Sequence, residues 1–163
     1  WSSDVCSSDL ALMTIAGQGI RATDQATRRA TAQFLAQEGI ELVQQARDDN
    51  FLDVSASAVW MSDITGDTGG ACSFNSPCAQ DVAGAMAGDD FFSCGNTCPV
   101  LRQESNTGRY GYNGDPSPFT RTIIIDDRTE SDDYVKVIST VEWQRGQSTF
   151  SVEAIKYFTN WFQ

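Results

Sequence analysis

The stretch that most constrains this chain is a long run of residues compatible with one helix. Residues 32–51 read AQFLAQEGIELVQQARDDNF, and at about 100° per residue their apolar and small side chains fall within one arc of roughly 120°. Upstream residues are short of helix breakers, so the helical pattern extends from about residue 10 to about residue 49. The face expected to pack, within the chain or in an assembly, consists of Leu35, Gly39, Leu42, Val43 and Ala46.

The first ten residues, WSSDVCSSDL, are expected not to belong to the natural protein. Their back-translation, TGG AGT TCA GAC GTG TGC TCT TCC GAT CT, resembles a common sequencing adapter read in frame. On this interpretation the reading frame begins inside a gene at Ala11, and Cys6 carries no meaning. The apolar residues 10–20 then become the remaining part of a longer apolar helix. The alternative is a genuine polar N-terminal tail.

Four further cysteines lie in a stretch rich in Gly, Ser, Asn and Asp. An even number of cysteines in a segment too polar to bury a core indicates two disulfides and an oxidising, extracytoplasmic location. Three pairings are possible, and the spacing does not choose among them. A four-thiolate zinc site and reduced free cysteines are the alternatives, although the spacings are looser than those of zinc knuckles. The candidates are Cys72, Cys78, Cys94 and Cys98.

The chain changes character after the helix. Residues 52–118 carry many Gly and Pro breakers, which predicts turns and short irregular strands. From residue 119 onward the pattern has a period of two, in runs 119–126, 134–143 and 148–158, with a hairpin turn at residues 144–147. We therefore expect an α+β fold in which a long N-terminal helix packs on a C-terminal antiparallel meander. The expected segments are residues 1–10 (adapter), 11–51 (helix), 52–118 (disulfide-stapled loops) and 119–163 (meander).

Charge and composition exclude several functions. The chain carries 22 acidic and 11 basic residues, a net charge of −11, and without Asp4 and Asp9 it still carries −9. Such a surface repels phosphate backbones, so we expect no direct binding of nucleic acid. The chain has no histidine, which removes the common Ser-His-Asp and Cys-His systems. Glu38 and Glu41 are interpreted as a solvated or subunit-facing polar side, and we expect neither an enzyme nor a bound cofactor.

Two acidic loops leave a question about calcium. Carboxylate and carbonyl oxygens could supply the six to eight ligands that calcium takes, but neither loop has the EF-hand spacing. Solvated acidic turns are the simpler interpretation. The candidate ligands are Asp63, Asp67, Asp126, Asp127 and Asp132.

Three blocks of sequence together resemble bacterial type IV pilin-like and pseudopilin-like proteins. They are FLAQEGIELVQQARDDN at residues 34–50, GRYGY and PFTRTI at 108–112 and 118–123, and VEWQRG with FTNW at 141–146 and 158–161. In that family a Gly-Phe-x-x-x-Glu cleavage motif precedes an apolar helix, and both the motif and the start of the helix are missing here. The roles of the peptidase site and of the assembly glutamate therefore have no position in this sequence.

The resemblance implies a structural subunit that is anchored in a membrane, cut by a prepilin peptidase and packed by its helix into a cell-surface filament. Its partners would be other pilin or pseudopilin subunits and the inner-membrane assembly machinery. The alternative is a secreted, disulfide-stapled binding or adhesin module that does not form filaments. The gene upstream of Ala11 distinguishes the two, because a filament subunit requires the cleavage motif and about 15 further apolar residues.

Overall fold

The computed structural model describes residues 4–52, 61, 64–65, 72–81, 91–126 and 134–159, with the side chains of the helix described from residue 14 onward. The chain forms two compact units, Trp1–Thr31 and Ala32–Gln163. The predicted class is confirmed in its coarse form: one long helix, an antiparallel sheet and two disulfides.

Helix α1 spans Asp4–Leu52. The first proline of the chain is Pro77, so no residue of α1 interrupts its backbone hydrogen bonds by lacking an N–H group. In the first unit, the hydroxyls of Thr23, Thr27 and Thr31 each donate to the carbonyl oxygen four residues earlier, at 3.0 Å. None of the described side chains between residues 14 and 31 is buried.

The predicted meander is confirmed. Strands β5 (Asp115–Asp126), β6 (Tyr134–Arg145) and β7 (Ser148–Thr159) pair antiparallel in sequence order. A two-residue turn, Gly146-Gln147, joins the last two strands, and Gly146 has the positive φ of 62° that such turns require. The alternation predicted for β6 holds, because Val135, Val137, Val141 and Trp143 are all buried.

The sequence predicts turns and short irregular strands in the preceding region, and its described part contains four short strands: β1 (Cys78–Gln80), β2 (Phe91–Ser93), β3 (Val100–Gln103) and β4 (Tyr110–Gly111). The sequence does not predict that all four belong to the same sheet as the meander. Strand β5 also begins before residue 119 and contains Pro116 and Pro118, which the sequence interpretation treated as breakers. Strands of two to four residues are too short to show a period of two, and Gly and Pro report only where they end.

Strand β5 is the centre of the resulting seven-stranded sheet. Along one edge it pairs with β3 near its start and with β1 at Ile123, and along the other edge it pairs with β6. Strand β7 is the outermost strand beyond β6. The second unit is therefore an antiparallel sheet whose inner face packs against residues 32–50 of α1.

Candidate functional site

The packing face predicted on the helix lies against the sheet of the same chain. Leu35, Gly39, Leu42 and Val43 are buried, and Ala46 is half-buried. Two apolar clusters form beneath them. One joins the helix to Ile123, Ile125, Val137 and Phe158, and the other joins it to Phe119, Val141 and Trp143. This face of the helix therefore packs against the sheet within the second unit.

A buried ion pair crosses from the helix to the sheet. Arg121 on β5 is 0 % exposed, and its Nη1 donates to Glu38 Oε2 at 2.6 Å. The side chain of Glu38 is 40 % exposed, so the carboxylate keeps part of its hydration while it neutralises the guanidinium. Glu38 is thus half-exposed, and it is also a partner of the sheet, a contact that its interpretation as a solvated or subunit-facing residue did not include.

Gly39 permits the close approach of helix and sheet beside this ion pair. A Cβ atom placed on Gly39 would overlap the Oγ of Ser139 and would lie 3.1 Å from the Cδ of Arg121. The chain therefore needs a residue without a side chain at this turn of the helix.

Several polar side-chain atoms are buried in the interior of the second unit. Among the described residues, those buried without a hydrogen-bond partner include atoms of Arg121 (Nε and Nη2), Tyr112 (hydroxyl), Ser139 (Oγ) and Trp143 (Nε1). Burial raises the pKa of Tyr112 to about 12; the charge of Arg121 lowers that pKa and the charge of Asp81 raises it. Burial, helped by the charge of Asp81, outweighs the charge of Arg121, so the Tyr112 phenol is held in its neutral form.

The four candidate cysteines form two local disulfides. Cys72 pairs with Cys78 and Cys94 with Cys98, with Cα–Cα distances of 5.6 and 4.6 Å. This confirms the prediction of two disulfides and selects one of the three pairings. Both sulfurs of the first pair are buried in the core, whereas Cys94 of the second is half-exposed.

The calcium candidates fall mostly outside the described residues, where Asp63, Asp67, Asp127 and Asp132 lie. Asp126 is described, and it is buried at the end of β5 opposite Lys136. In the described ranges, no three side chains of the types His, Cys, Asp and Glu lie close enough together to hold a metal ion.

An open groove runs between the helix and strand β7. Its volume is about 760 Å³, and its walls are formed by residues 33–44 of α1 and residues 152–156 of β7. Phe34, 71 % exposed, and the exposed Glu41 lie on its helical wall. On β7, Ala154 and Lys156 pair with the inner-face residues Ser139 and Val137, so the side chains of Glu153 and Ile155 point to the outer face of the sheet. Sequence reasoning missed this groove, because it depends on where the edge strand lies beside the helix.

The floor of the groove is fixed by contacts between its two walls. Lys156 on β7 donates to Gln44 Oε1 on the helix. Nearby, the guanidinium of Arg47 lies 4.9 Å from the centre of the Phe158 ring, within the range of a cation–π interaction. The groove is therefore a preformed surface of the second unit.

Comparisons with protein families, with curated proteins and with solved structures find no match to this chain. Among the described residues, no helix has a stretch long and apolar enough to cross a membrane.

Proposed function

We propose that this protein is a structural subunit of a type IV pilus or of a type II secretion-like pseudopilus. In this role the N-terminal helix assembles with neighbouring helices, and the acidic head is displayed outside the cell. One observation carries the proposal. Helix α1 continues through residues 14–31 with no buried side chain among them, and only from Ala32 onward does it contribute to the core.

Helix energetics support this reading. Most helical stability in proteins comes from packing of an amphipathic face, and isolated helices of about 12 to 15 residues are marginal in water. Residues 14–31 have such a face, with Ile15, Ala22 and Ala26 within about 40° of one another at 100° per residue. A neighbouring subunit supplies the surface that this face lacks in the isolated chain.

The disulfides support an extracytoplasmic head. Disulfides persist in oxidising compartments, and both pairs of this chain are in the second unit. The subunit is anchored in the membrane by apolar residues upstream of Ala11, is cut by a prepilin peptidase and is then added to the filament by the inner-membrane assembly machinery.

Sequencing the genomic locus across the codon of Ala11 tests the proposal. We expect a short leader, a Gly-Phe-x-x-x-Glu motif and about 15 further apolar residues in frame with Ala11. The full-length protein should then be shortened when it is co-expressed with a prepilin peptidase. A conventional signal peptide joined directly to residue 11, with no apolar helix after it, contradicts the filament role.

The second candidate is a secreted binding or adhesin module. An exposed aromatic pair favours it, because Tyr134 and Tyr157 stand on the outer face of the sheet with ring centroids 6.1 Å apart. Exposed tyrosines are frequent in binding surfaces. The conventional signal peptide that contradicts the filament role is the result expected for this second candidate.

A further inference from the structure

Strand β7 is an edge strand without the usual protection against pairing with another chain. It pairs with β6 over all its 12 residues without a bulge, and it contains neither proline nor glycine. Natural edge strands are commonly short, bulged or interrupted by proline and lysine, because an open edge is a template for another strand. Within the described ranges, the other strands that end the sheet, β2 and β4, have only 3 and 2 residues. The open edge of β7 is therefore the exception in this sheet.

The free edge of β7 presents backbone hydrogen-bonding groups. Among the described residues, the backbone of β7 is hydrogen-bonded to β6 and to no other segment. Consecutive residues of a strand point their N–H and C=O groups to alternate sides, so about half of the residues of β7 direct theirs away from β6. The only lysine of the strand, Lys156, is on the inner face and is bound to Gln44 of the helix. The chemistry that matches this edge is the backbone of another β-strand.

A row of isoleucines on the outer face of the sheet runs up to this edge. Ile124 on β5 is opposite Ile138 on β6, and Ile138 is opposite Ile155 on β7. The first two side chains are half-buried, whereas Ile155, at the end of the row, is 50 % exposed. Directly opposite apolar side chains stabilise neighbouring strands. A further strand that places an apolar side chain beside Ile155 would therefore continue the row.

Strand β7 of a second copy meets this requirement in one register. In an antiparallel pair related by a two-fold axis, residues of the outer face must lie opposite residues of the outer face. With the axis at Ile155, the two Ile155 side chains meet, and Glu153 lies opposite Tyr157 of the second copy. Moving the axis by one residue places either Lys156 opposite Lys156 or Ile155 opposite Glu153. Like charges directly opposite one another are destabilising, and a carboxylate beside Ile155 would end the apolar row.

We propose that two copies of this chain pair through β7, antiparallel about a two-fold axis at Ile155, so that their sheets join into one. Residues 151–159 of the two strands then lie side by side. The axis makes residues 32–50 of the two helices run in opposite directions, so the pair does not form between parallel neighbours in one filament. It forms between separate filaments and equally between unassembled heads. The inference therefore goes beyond the proposed filament role and does not depend on it.

Sedimentation velocity of the 163-residue protein tests the pairing. We expect a reversible monomer–dimer equilibrium that shifts toward the dimer as salt is added, because each chain has a net charge of −11. Ile155→Lys should raise the dissociation constant at least about tenfold, because it removes the apolar pair and places two ammonium groups opposite each other. Val100→Lys makes the same charge change on β3, at a position that is 47 % exposed. It should leave the dissociation constant within about twofold.

Engineered disulfides test the register. All these variants carry Cys6→Ser, because Cys6 is the one cysteine outside the two disulfides. Ile155→Cys should give a covalent dimer under mild oxidation, because Cβ atoms of directly opposite residues lie about 4.5 to 5.5 Å apart. Glu153→Cys alone should not, because its two copies lie four residues apart along the paired strands, about 13 Å. Glu153→Cys combined with Tyr157→Cys should again give a covalent dimer, because these positions lie opposite each other.

Three results would overturn the inference. They are a protein that stays monomeric at every concentration, association that Val100→Lys weakens as much as Ile155→Lys does, and a covalent dimer of Glu153→Cys alone that equals that of Ile155→Cys. The genomic locus upstream of Ala11 decides the filament role separately. A locus with the prepilin motif and an uncrosslinked Ile155→Cys variant would remove the β7 pairing while the filament role stands.

Discussion

Gly39 lies at a close approach of the helix to the sheet, beside Ser139 and Arg121. At an exposed helix position, replacing Gly by Ala raises the free energy of unfolding by about 1 kcal/mol. Forcing extra atoms into a packed core lowers it by about 1 to 3 kcal/mol. Because the new Cβ would overlap Ser139 Oγ, the packing cost should win. We expect Gly39→Ala to lower the free energy of unfolding by about 1 to 2 kcal/mol, measured by urea denaturation.

Two matched variants make this result specific to the contact. Gly19→Ala, also in α1, meets no atom within 4 Å and should leave stability unchanged or raise it. Adding Ser139→Ala to Gly39→Ala removes the overlapping oxygen and should recover most of the loss. Equal effects of Gly19→Ala and Gly39→Ala would show that the helix does not approach the sheet at this point.

Arg121 and Glu38 should respond unequally to substitution. Glu38→Ala leaves a buried guanidinium without its carboxylate, and we expect a loss of about 2 kcal/mol in the free energy of unfolding; the exposure of Glu38 keeps it below the 3 to 5 kcal/mol typical of fully buried pairs. Arg121→Met removes the buried charge together with its unpartnered donors and leaves a carboxylate that water can solvate, so it should cost less. If urea denaturation gives the same loss in free energy of unfolding for both variants, the unpaired buried charge of Arg121 is not the cause of the loss in Glu38→Ala.

Tyr112 makes stability depend on alkaline pH. Its phenol deprotonates near pH 10 in the unfolded chain, but burial raises its pKa to about 12 in the folded protein. The folded state therefore keeps a proton that the unfolded state loses. The contribution of the neutral Tyr112 phenol to the free energy of unfolding is complete below pH 10 and is lost as pH rises from about 10 to 12. At about 1.4 kcal/mol per pKa unit, the loss should reach 2 to 3 kcal/mol.

The stability of Tyr112→Phe relative to the natural protein measures this loss. The variant has no phenol to deprotonate at this position. We therefore expect its free energy of unfolding to rise relative to that of the natural protein between pH 10 and 12. Below pH 9 the difference should be constant. Parallel curves for Tyr112→Phe across the whole range would refute the assignment.

At the scale of elements, the sequence predicts the helix and the strands that are long enough for their hydrophobic pattern to repeat several times. The helix and strands β5 to β7 each run for twelve residues or more, and their patterns indicate both type and inward face. Strands β1 to β4 have two to four residues each, and pairing rather than their own composition makes them strands: β1 and β3 pair with β5, β2 pairs with β1, and β4 pairs with β3. Their place in the sheet is a tertiary effect that no local pattern contains.

The two disulfides should differ in what they contribute. Each closes a short loop, so the chain-entropy contribution of either is about 2 kcal/mol. Replacing Cys72 and Cys78 by Ala also removes two buried side chains, whereas the second pair includes the half-exposed Cys94. We expect the double Ala variant of the first pair to lose about 1 to 2 kcal/mol more than that of the second, by urea denaturation.

Peptide mapping without reduction is the control for connectivity. It should recover Cys72 linked to Cys78 and Cys94 linked to Cys98. A crossed pairing, or equal stability losses in the two double variants, would count against the proposed difference.

At the scale of the whole molecule, the two units should differ in protection from hydrogen exchange. Amides of residues 32–50 lie in a helix that packs on the core, whereas residues 14–31 contribute no buried side chain among those described. A helix without tertiary packing opens locally at low free-energy cost. In the dilute monomer, exchange followed by mass spectrometry should be at least about tenfold faster in residues 14–31. Uniform protection of the amides along α1 would contradict the predicted difference between residues 14–31 and 32–50.

Much of the candidate site depends on placement in three dimensions. The exposed charges and the buried face of the helix follow from periodicity, but the groove depends on the outer strand β7 lying alongside residues 33–44 of the helix. Arg121 offered one clue: it occupies an inward position between Phe119 and Ile123, where a charge requires a partner. The identity of that partner, Glu38, depends on how the helix crosses the sheet.

The threonine hydroxyls of the first unit have a consequence for where this helix can go. A hydroxyl that bonds to water must lose that bond when another surface covers it, which costs free energy. Thr23, Thr27 and Thr31 already donate to their own backbone, so the loss of water leaves none of these three donors without an acceptor. Another protein surface can therefore cover these three threonines without leaving any of their hydroxyl donors unpaired.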